Sequence, residues 1–417
     1  MGKQLLKSAL YLFLSAIVGF VLVLVGYCIP RDWFGNNLSQ SFIQMSGEET
    51  YPKEPISQRQ LDNWTDSLTM LECAYDGDES VLSKAVNIPY VSTGQEPHTV
   101  LVGLVENPQM ETSVINYGRY WHGNLLIDRL LLCVLNYYQI RILLGIVLFI
   151  LSATIIWLMY KKARNCIIPF VLSMLIIGPT AVANSMMFSW PVFITLIPMI
   201  IILWKTEWIC QGNRAHMLFL FVGILIVYFE YLDFPLLTLV FPLTLLCILE
   251  KEKSAKFRFV AGCALFWLIG YAGMWAAKWI IGIIYKGPEF FQELVSVMEF
   301  RTGITWEGMP FARTRTLFKN ILQLVKVIYV DVAVLIYMIG NLVKYRNHIS
   351  VSSFRNGAIK LKSLIIPVLI PVFWILVMSN HSFVHYWFTY RILVPCVFGF
   401  LVWLNCSLRT DDTPALI

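Results

Sequence analysis

Carboxylates that could accept a proton during group transfer occur early in the chain. Asp32 directly follows the first apolar stretch in CIPRDWFG, and Asp62 and Asp66 are four residues apart in LDNWTDSL. This spacing puts the pair on one face of a helix, and a positioned carboxylate can take the proton of an attacking hydroxyl. A water-exposed loop carboxylate fits Asp32 equally well, and a solvated helix face fits the pair.

Arginine and histidine are grouped in two aromatic-rich motifs that could hold an anion. YGRYWHG contains Arg119 and His122, and SNHSFVHYWFTYR contains His381, His385 and Arg391. Such side chains can bind phosphate or sugar hydroxyls. Tyrosine and tryptophan also favour the membrane interface, so anchoring explains the aromatic residues of these motifs as well.

Four further charged residues lie in apolar stretches or in the turns between them. Lys278 lies in GMWAAKWII and Asp331 in a later apolar stretch, where the sequence allows pairing of Asp331 with Lys278 or Lys326. Glu230 and Asp233 lie in YFEYLDFP, where a charged turn between two helices is as good an explanation as function.

The sequence predicts neither a metal centre nor a nucleic-acid partner. His381 and His385 do not form an HExxH motif and have no evident third ligand, so no cofactor is expected. No basic tract is interleaved with aromatic residues on a polar surface, which excludes the usual nucleic-acid signature.

The elements that must position these residues are membrane helices. Of the 417 residues, 58% are apolar and 14% are charged, whereas soluble domains carry about 25% charged residues. A span needs about 20 apolar residues. The composition therefore predicts an all-α polytopic protein with about ten spans, at 8–29, 139–160, 166–182, 188–204, 216–232, 233–249, 259–284, 320–343, 363–379 and 387–407.

Lysine and arginine predict the orientation of these spans. The segments 1–7, 161–165, 205–215, 250–258, 344–362 and 408–417 hold 17 of the 32 basic residues, whereas the short turns 183–187 and 231–234 hold none. By the positive-inside rule, both termini are expected in the cytoplasm of a cell-membrane protein.

Three parts follow from this layout: a first span (1–30), an extracytoplasmic segment (31–137) and a bundle of about nine spans (138–417). The segment 31–137 has 14 acidic and 6 basic residues, and it is too long and polar for a turn. A helix is expected after a Ser57 cap, and a membrane-surface helix in GRYWHGNLLIDRLLLCVLNYY. A second external loop, 285–319, is basic and includes Arg301, which suggests an anionic ligand or lipid headgroups.

This layout resembles the GT-C superfamily of integral-membrane glycosyltransferases. The matching parts are the first span, Asp32 just after it, the 31–137 segment and the stretch RYWHGNLLIDRLLL. The resemblance implies an inverting enzyme that takes a sugar from a polyprenyl-phosphate carrier and uses a carboxylate of the first loop as base. By position Asp32 is the nearest match to that carboxylate, and Asp66 is second.

The same resemblance assigns the cationic residues. His122 and Arg119 would help to place the donor or acceptor, and the remaining cationic and histidine residues would bind the carrier phosphate, namely Lys278, Arg301, His381, His385 and Arg391. The sequence departs from better-known members because it has no DD or DxD pair after the first span and no WWDYG-type motif. DNWTDSLTML, YGRYWHG, GMWAAKW and HSFVHYWFTYR also resemble multi-span proteins of gut-type Gram-positive bacteria that have no assigned reaction.

The leading hypothesis is therefore a membrane glycosyltransferase that acts on an envelope glycan outside the cytoplasm. Its expected partners are a lipid-linked sugar donor, a glycan acceptor and membrane lipids, while the oligomeric state is left open. One alternative is a transporter or flippase of lipid-linked glycans, with Lys278 and Asp331 along its path. Another is a non-catalytic scaffold, whose histidines and arginines would serve helix contacts.

Overall fold

The protein is almost entirely helical, which confirms the predicted all-α class. The computed structural model describes residues 2–55, 58–250, 257–346, 349, 352 and 364–408. Ser57 and most of the predicted cytoplasmic segments 250–258, 344–362 and 408–417 lie outside these residues. The helix expected after Ser57 begins later, at Asn63, and its N-cap is Asp62.

Within the described residues, five helices are long and apolar enough to cross a membrane. They are Leu6–Cys28, Tyr137–Lys162, Met186–Trp204, Phe257–Lys286 and Tyr386–Leu408. The helices Arg313–Leu324 and Ile328–Lys344 meet at 86° and would make a sixth span if they cross together. Four shorter apolar helices, Arg164–Ile177, Arg214–Phe229, Leu237–Leu249 and Ile365–Val377, cover the other stretches that the sequence predicts as spans. The count of about ten spans stays a prediction.

The segment 31–137 folds as small helices and one antiparallel sheet between the first two long helices. The long helices are α1 (Gly2–Cys28) and α7 (Tyr137–Lys162). Between them lie α2 (Gly35–Ser46), α3 (Asn63–Ala74), α4 (Val81–Asn87), β1 (Pro89–Ser92), α5 (Pro97–Glu106), β2 (Ser113–Asn116) and α6 (Asn124–Leu132). Strand β1 pairs with β2, with Tyr90 opposite Ile115. Helix α3 is buried along nearly all of its length, so this segment is a folded lobe with its own interior.

The bundle follows α7. Its helices are α8 (Ile167–Ile177), α9 (Pro179–Ala183), α10 (Met186–Trp204), α11 (Thr206–Ile209), α12 (Arg214–Phe229), α13 (Leu237–Leu249), α14 (Phe257–Lys286), α15 (Pro288–Thr302), α16 (Arg313–Leu324), α17 (Ile328–Lys344), α18 (Ile365–Val377), α19 (Ser379–Val384), α20 (Tyr386–Thr389) and α21 (Val394–Leu408). A two-residue hairpin, β3 (Thr305–Trp306) with β4 (Met309–Pro310), joins α15 to α16. The basic loop 285–319 thus consists mainly of α15, this hairpin and the start of α16.

Two glycines let α12 and α14 pack backbone to backbone. A Cβ atom on Gly223 would lie 2.2 Å from the carbonyl oxygen of Trp267, and one on Gly270 would lie 2.2 Å from that of Leu220. Small residues at such crossings allow the close approach that stabilises helix pairs in membranes. This contact fixes the end of α12, and with it the turn that carries Glu230 and Asp233.

Candidate functional site

A polar cavity of about 460 Å³ lies between the 31–137 lobe and the bundle. It brings together six of the residues singled out in the sequence. They come from the start of α3, the YGRYWHG motif, the α12–α13 turn, the end of α15 and the α19–α20 region, and they are Asp62, Arg119, Asp233, Arg301, His381 and His385. The lobe and the bundle therefore contribute acidic, basic and histidine side chains to one cavity.

Asp62 lies in the wall of this cavity at the N-terminus of α3. Its carboxylate accepts hydrogen bonds from the Thr65 backbone N–H at 3.1 Å and from the Thr65 hydroxyl at 2.7 Å. Burial raises the pKa of Asp62 to about 7, although the bonds from Thr65 oppose this shift. A carboxylate with this pKa is a proton acceptor matched to neutral pH.

Asp233 is the second carboxyl group of the cavity. Its side chain is only 4% exposed, and no described residue donates a hydrogen bond to its Oδ2 atom. Burial raises the pKa of Asp233 well above its ordinary value, and the charge of Asp62 raises it further. The two carboxyl groups therefore differ in their surroundings, since Asp62 is held by Thr65 whereas Oδ2 of Asp233 has no partner among the described residues.

Glu230, three residues earlier, has the turn role that the sequence allowed for it. Its Oε1 accepts a hydrogen bond of 2.5 Å from the backbone N–H of Phe234, and the side chain is buried. The same turn holds Leu232 at a φ of 84°, which is strained for a residue with a Cβ. Glu230 thus stabilises the conformation that directs Asp233 into the cavity.

Arg119 and Arg301 are the cations of the cavity wall. The guanidinium of Arg301 donates to the hydroxyl of Tyr120. The guanidinium of Arg119 lies 4.1 Å above the ring of Tyr117 and 3.7 Å from the carboxylate of Glu293. Both arginines remain charged at any physiological pH, so they can bind a phosphate group.

His381 and His385 line the cavity as neutral imidazoles. Nε2 of His381 donates to the carbonyl oxygen of Leu232 at 2.8 Å, and the two rings lie 4.9 Å apart. Burial and the nearby charge of Arg301 lower the pKa of His385 to about 4, and burial lowers that of His381 as well. The positive charge of the cavity wall therefore comes from the arginines, and the histidines offer neutral hydrogen-bonding groups.

A second, apolar cavity of about 310 Å³ adjoins the first. Arg119, Tyr120, Val297 and Arg301 line both cavities. The rest of the second cavity is lined by aromatic and aliphatic side chains, including Tyr271, Trp275, Trp279 and Trp374. The two guanidinium groups thus lie at the boundary between a polar and an apolar hollow.

Asp32 and Asp66, the two acids that the family resemblance favours, lie outside both cavities. Asp32 is exposed in a single 3₁₀ turn after α1. Asp66 is fully buried and accepts bonds from the hydroxyl of Tyr137 at 2.6 Å and from the backbone N–H groups of Met186 at 3.0 Å and Met187 at 3.2 Å. Asp66 therefore caps the N-terminus of α10 and ties the lobe to the bundle. The solvated helix face weighed for Asp62 and Asp66 is not observed, because both are buried.

His122 belongs to a buried network behind the cavity. Its Nδ1 lies 2.8 Å from a carboxylate oxygen of Glu72 and 2.7 Å from the hydroxyl of Tyr231, and its Nε2 donates to the carbonyl oxygen of Tyr117. Tyr117 and Tyr231 line the cavity, so this network fixes two of its walls. His122 itself does not line the cavity.

Lys278, Arg391 and Asp331 also lie away from the cavity wall. Nζ of Lys278 donates to the carbonyl oxygens of Ala85 and Val86, both at 3.3 Å, so Lys278 fastens α14 to the end of α4. Within the described part of the chain no ion pair joins Asp331 to Lys278 or Lys326. Arg391 is buried and donates from Nε to the carbonyl oxygen of Ile177. Its charge lowers the pKa of Asp233, against the larger effects of burial and Asp62.

Several residues of the cavity and its support were missed by sequence reasoning. Glu96, Tyr51 and Tyr231 line the cavity, and Glu72 supports it through His122. Glu72 follows Asp62 by ten residues in the same polar helix, yet its pairing with His122 depends on a contact 50 residues away in sequence. Among the described residues no group of three or more His, Cys, Asp or Glu side chains could hold a metal ion.

No protein-family model, curated protein or solved structure matches this chain. The geometry of the two cavities and the chemistry of their lining therefore provide the evidence on function.

Proposed function

We propose that the protein is a membrane glycosyltransferase that moves a sugar from a lipid-linked phosphate donor to a hydroxyl of an envelope glycan. The observation that carries this proposal is the position of Arg119 and Arg301 between a polar and an apolar hollow. A polyprenyl-phosphate sugar has the same order of parts, with an apolar chain, a phosphate and a polar sugar. The apolar cavity would take the first part of the chain, and the polar cavity would take the sugar and the acceptor.

The proposed topology places this site at the outer face of the cell membrane. The chain would cross about ten times with both termini in the cytoplasm, and residues 31–137 would form an extracytoplasmic roof. The density of basic residues in the segments assigned to the cytoplasm supports this orientation.

In the proposed reaction, Asp62 is the general base. The acceptor hydroxyl loses its proton to the Asp62 carboxylate while its oxygen bonds to the anomeric carbon of the sugar. The bond from that carbon to the phosphate oxygen breaks, and the phosphate leaves on its lipid. Arg119 and Arg301 stabilise the charge that develops on the phosphate, and the unpaired Oδ2 of Asp233 forms a hydrogen bond with the reacting sugar or acceptor.

The experiment that tests this proposal compares two aspartate variants of the purified protein with the wild type in nanodiscs. Sugar transfer would be measured with a panel of polyprenyl-phosphate sugars and an envelope-glycan extract as acceptor. Loss of a general base typically costs about 10²–10⁴-fold in rate, so Asp62→Asn should abolish most transfer. Asp32→Asn is the matched control, because Asp32 is exposed and far from the cavity lining, and it should retain the wild-type rate.

Binding of the donor phosphate is tested separately from transfer. The double variant Arg119→Gln/Arg301→Gln should lose at least tenfold in affinity for polyprenyl phosphate, whereas Arg315→Gln, in the same basic loop but outside both cavities, should not. Wild-type affinity in the double variant, or full transfer by Asp62→Asn, would remove this mechanism.

A flippase or transporter is the alternative from another class. That function requires charged residues along a path through the bundle, yet Lys278 is held by two backbone carbonyls and neither it nor Asp331 lines the two adjoining cavities. The cavity wall has three carboxyl groups, two arginines and two neutral histidines, and this combination favours a reaction of a bound amphiphile over its transport. Movement of a fluorescent lipid-linked glycan across vesicles that contain the Asp62→Asn variant would support the flippase instead.

A further inference from the structure

A second amphipathic groove lies at the other end of α1, away from the candidate site. At the end of the bundle where α1 begins and α12 begins, a cavity of about 680 Å³ is lined by Gln4, Lys7, Trp208, Asn213 and Arg214. No described carboxylate lines it or forms an ion pair with Lys7 or Arg214. The mouth of this groove is therefore positively charged and rich in hydrogen-bond donors.

The groove continues along α1 as an apolar channel. A neighbouring cavity of about 530 Å³ shares Tyr11 and Phe221 with the first, and it is lined by residues such as Leu14, Val18 and Leu22. The helix rises about 1.5 Å per residue, so the distance along α1 from Lys7 to Leu22 is about 22 Å. One leaflet has a hydrocarbon depth of about 15 Å, half that of the bilayer core. The channel is thus long enough for one acyl chain.

Contacts at the mouth and at the far end hold the groove in shape. Nη1 of Arg214 donates to the carbonyl oxygen of Trp208 at 3.2 Å, and the guanidinium lies 4.4 Å from the centre of that indole ring. At the far end the hydroxyl of Tyr228 donates to the carbonyl oxygen of Gly19 at 3.0 Å and closes α12 onto α1. The guanidinium is therefore held at the mouth, with donors left for a ligand.

We infer that this groove binds an anionic glycerophospholipid, with its phosphate at Lys7 and Arg214 and one acyl chain along α1 and α12. Charge complementarity selects the head group, because the mouth is cationic and its wall is apolar immediately beyond Tyr11. This site is independent of the proposed glycosyl transfer, since it shares no lining residue with the two cavities of the candidate site.

The test measures lipid binding by native mass spectrometry of the full chain after delipidation in detergent. The probes are dioleoylphosphatidylglycerol, dioleoylphosphatidylcholine as the neutral-head control, and sn-glycerol 3-phosphate as a free phosphate without a chain. We expect tight retention of the first probe only. A basic residue near an anionic head group contributes about a fivefold gain in binding, so Lys7→Gln/Arg214→Gln should weaken phosphatidylglycerol binding about 30-fold.

Two matched variants make the result specific to the groove. Lys161→Gln/Lys205→Gln removes two cations that lie over the rings of Trp157 and Trp204 and do not line the groove, and it should bind like the wild type. Val18→Trp should block the channel, whereas Phe13→Trp, on α1 but outside the lining of both cavities, should not. Equal retention of phosphatidylcholine, competition by glycerol 3-phosphate, or unchanged binding in the Lys7/Arg214 variant would overturn the inference.

Discussion

Replacing Asp66 with alanine should destabilise the fold far more than replacing Asp62, although the two lie one turn apart in α3. The Asp66 carboxylate accepts from Tyr137, Met186 and Met187, and Ser185 Oγ lies 3.3 Å from its Oδ1. Removing one partner of a buried charged network costs about 3–5 kcal/mol. Asp62 caps its own helix through Thr65 alone, and loss of such a cap costs about 0.5–2 kcal/mol.

The assay for this comparison is reversible unfolding in mixed micelles at pH 7. Increasing sodium dodecyl sulfate would unfold each variant, followed by the fluorescence of the 14 tryptophans. We expect the free energy of unfolding to fall by about 3–5 kcal/mol for Asp66→Ala and by about 1 kcal/mol for Asp62→Ala. Asp32→Ala is the control, because Asp32 is exposed and surface substitutions change stability by less than about 0.5 kcal/mol.

Two outcomes would refute this reasoning. If Asp66→Ala were as stable as the wild type, its carboxylate would not join the lobe to α10. If Asp62→Ala cost more than Asp66→Ala, the division between a residue of the cavity and a residue of the fold would be reversed.

Three further predictions concern the same site and its support. The folded pKa of Asp62, about 7, lies above its ordinary 3.8, so this group should lower the stability of the wild type as the pH rises from 4 to 7. Asp62→Asn should lose less stability over this range, although other buried acids with raised pKa values, such as Asp233, remain; parallel pH profiles of unfolding would contradict this. Glu72→Gln and His122→Gln should each lower the free energy of unfolding by about 3 kcal/mol, because each change leaves a buried partner unpaired. The double variant should lose less than the sum of the two, and additive losses would exclude the coupling. Ala276→Phe, which places a larger side chain in the lining of the apolar cavity, should weaken polyprenyl-phosphate binding at least tenfold without changing the unfolding midpoint. Ile280→Phe, one turn later in the same helix and outside that lining, should bind normally, and equal affinities of the two variants would mean that the lipid chain binds elsewhere.

The sequence determined the all-α class of the fold and part of the cavity lining. A chain with 58% apolar and 14% charged residues favours lipid as its surroundings, and an apolar run of about 20 residues can satisfy its backbone there as a helix. Motifs such as YGRYWHG and SNHSFVHYWFTYR were recognisable because they concentrate Arg and His among aromatic residues. Six of the residues that the sequence singled out line one cavity, whereas Asp32 and Asp66 do not.

Only the tertiary structure decided which carboxylates face that cavity. The i, i+4 spacing of Asp62 and Asp66 predicts a shared face, but α3 is surrounded by protein on all sides. Two residues one turn apart therefore have different neighbours. Asp62 lines the cavity, whereas Asp66 binds the N-terminus of α10. Arg119 and His122 differ in the same respect, since Arg119 lines the cavity and His122 does not. His122 has a φ of 54°, and its side chain is buried against Glu72.

Contacts between distant segments also lie beyond local sequence patterns. His381 reaches the carbonyl oxygen of Leu232, 149 residues earlier, and Arg301 reaches Tyr120, 181 residues earlier. Periodicity and composition report how each helix meets lipid or protein on average, and they carry no information on which helices become neighbours. The site exists because the packing of the lobe against the bundle brings acids from one part of the chain to cations from another.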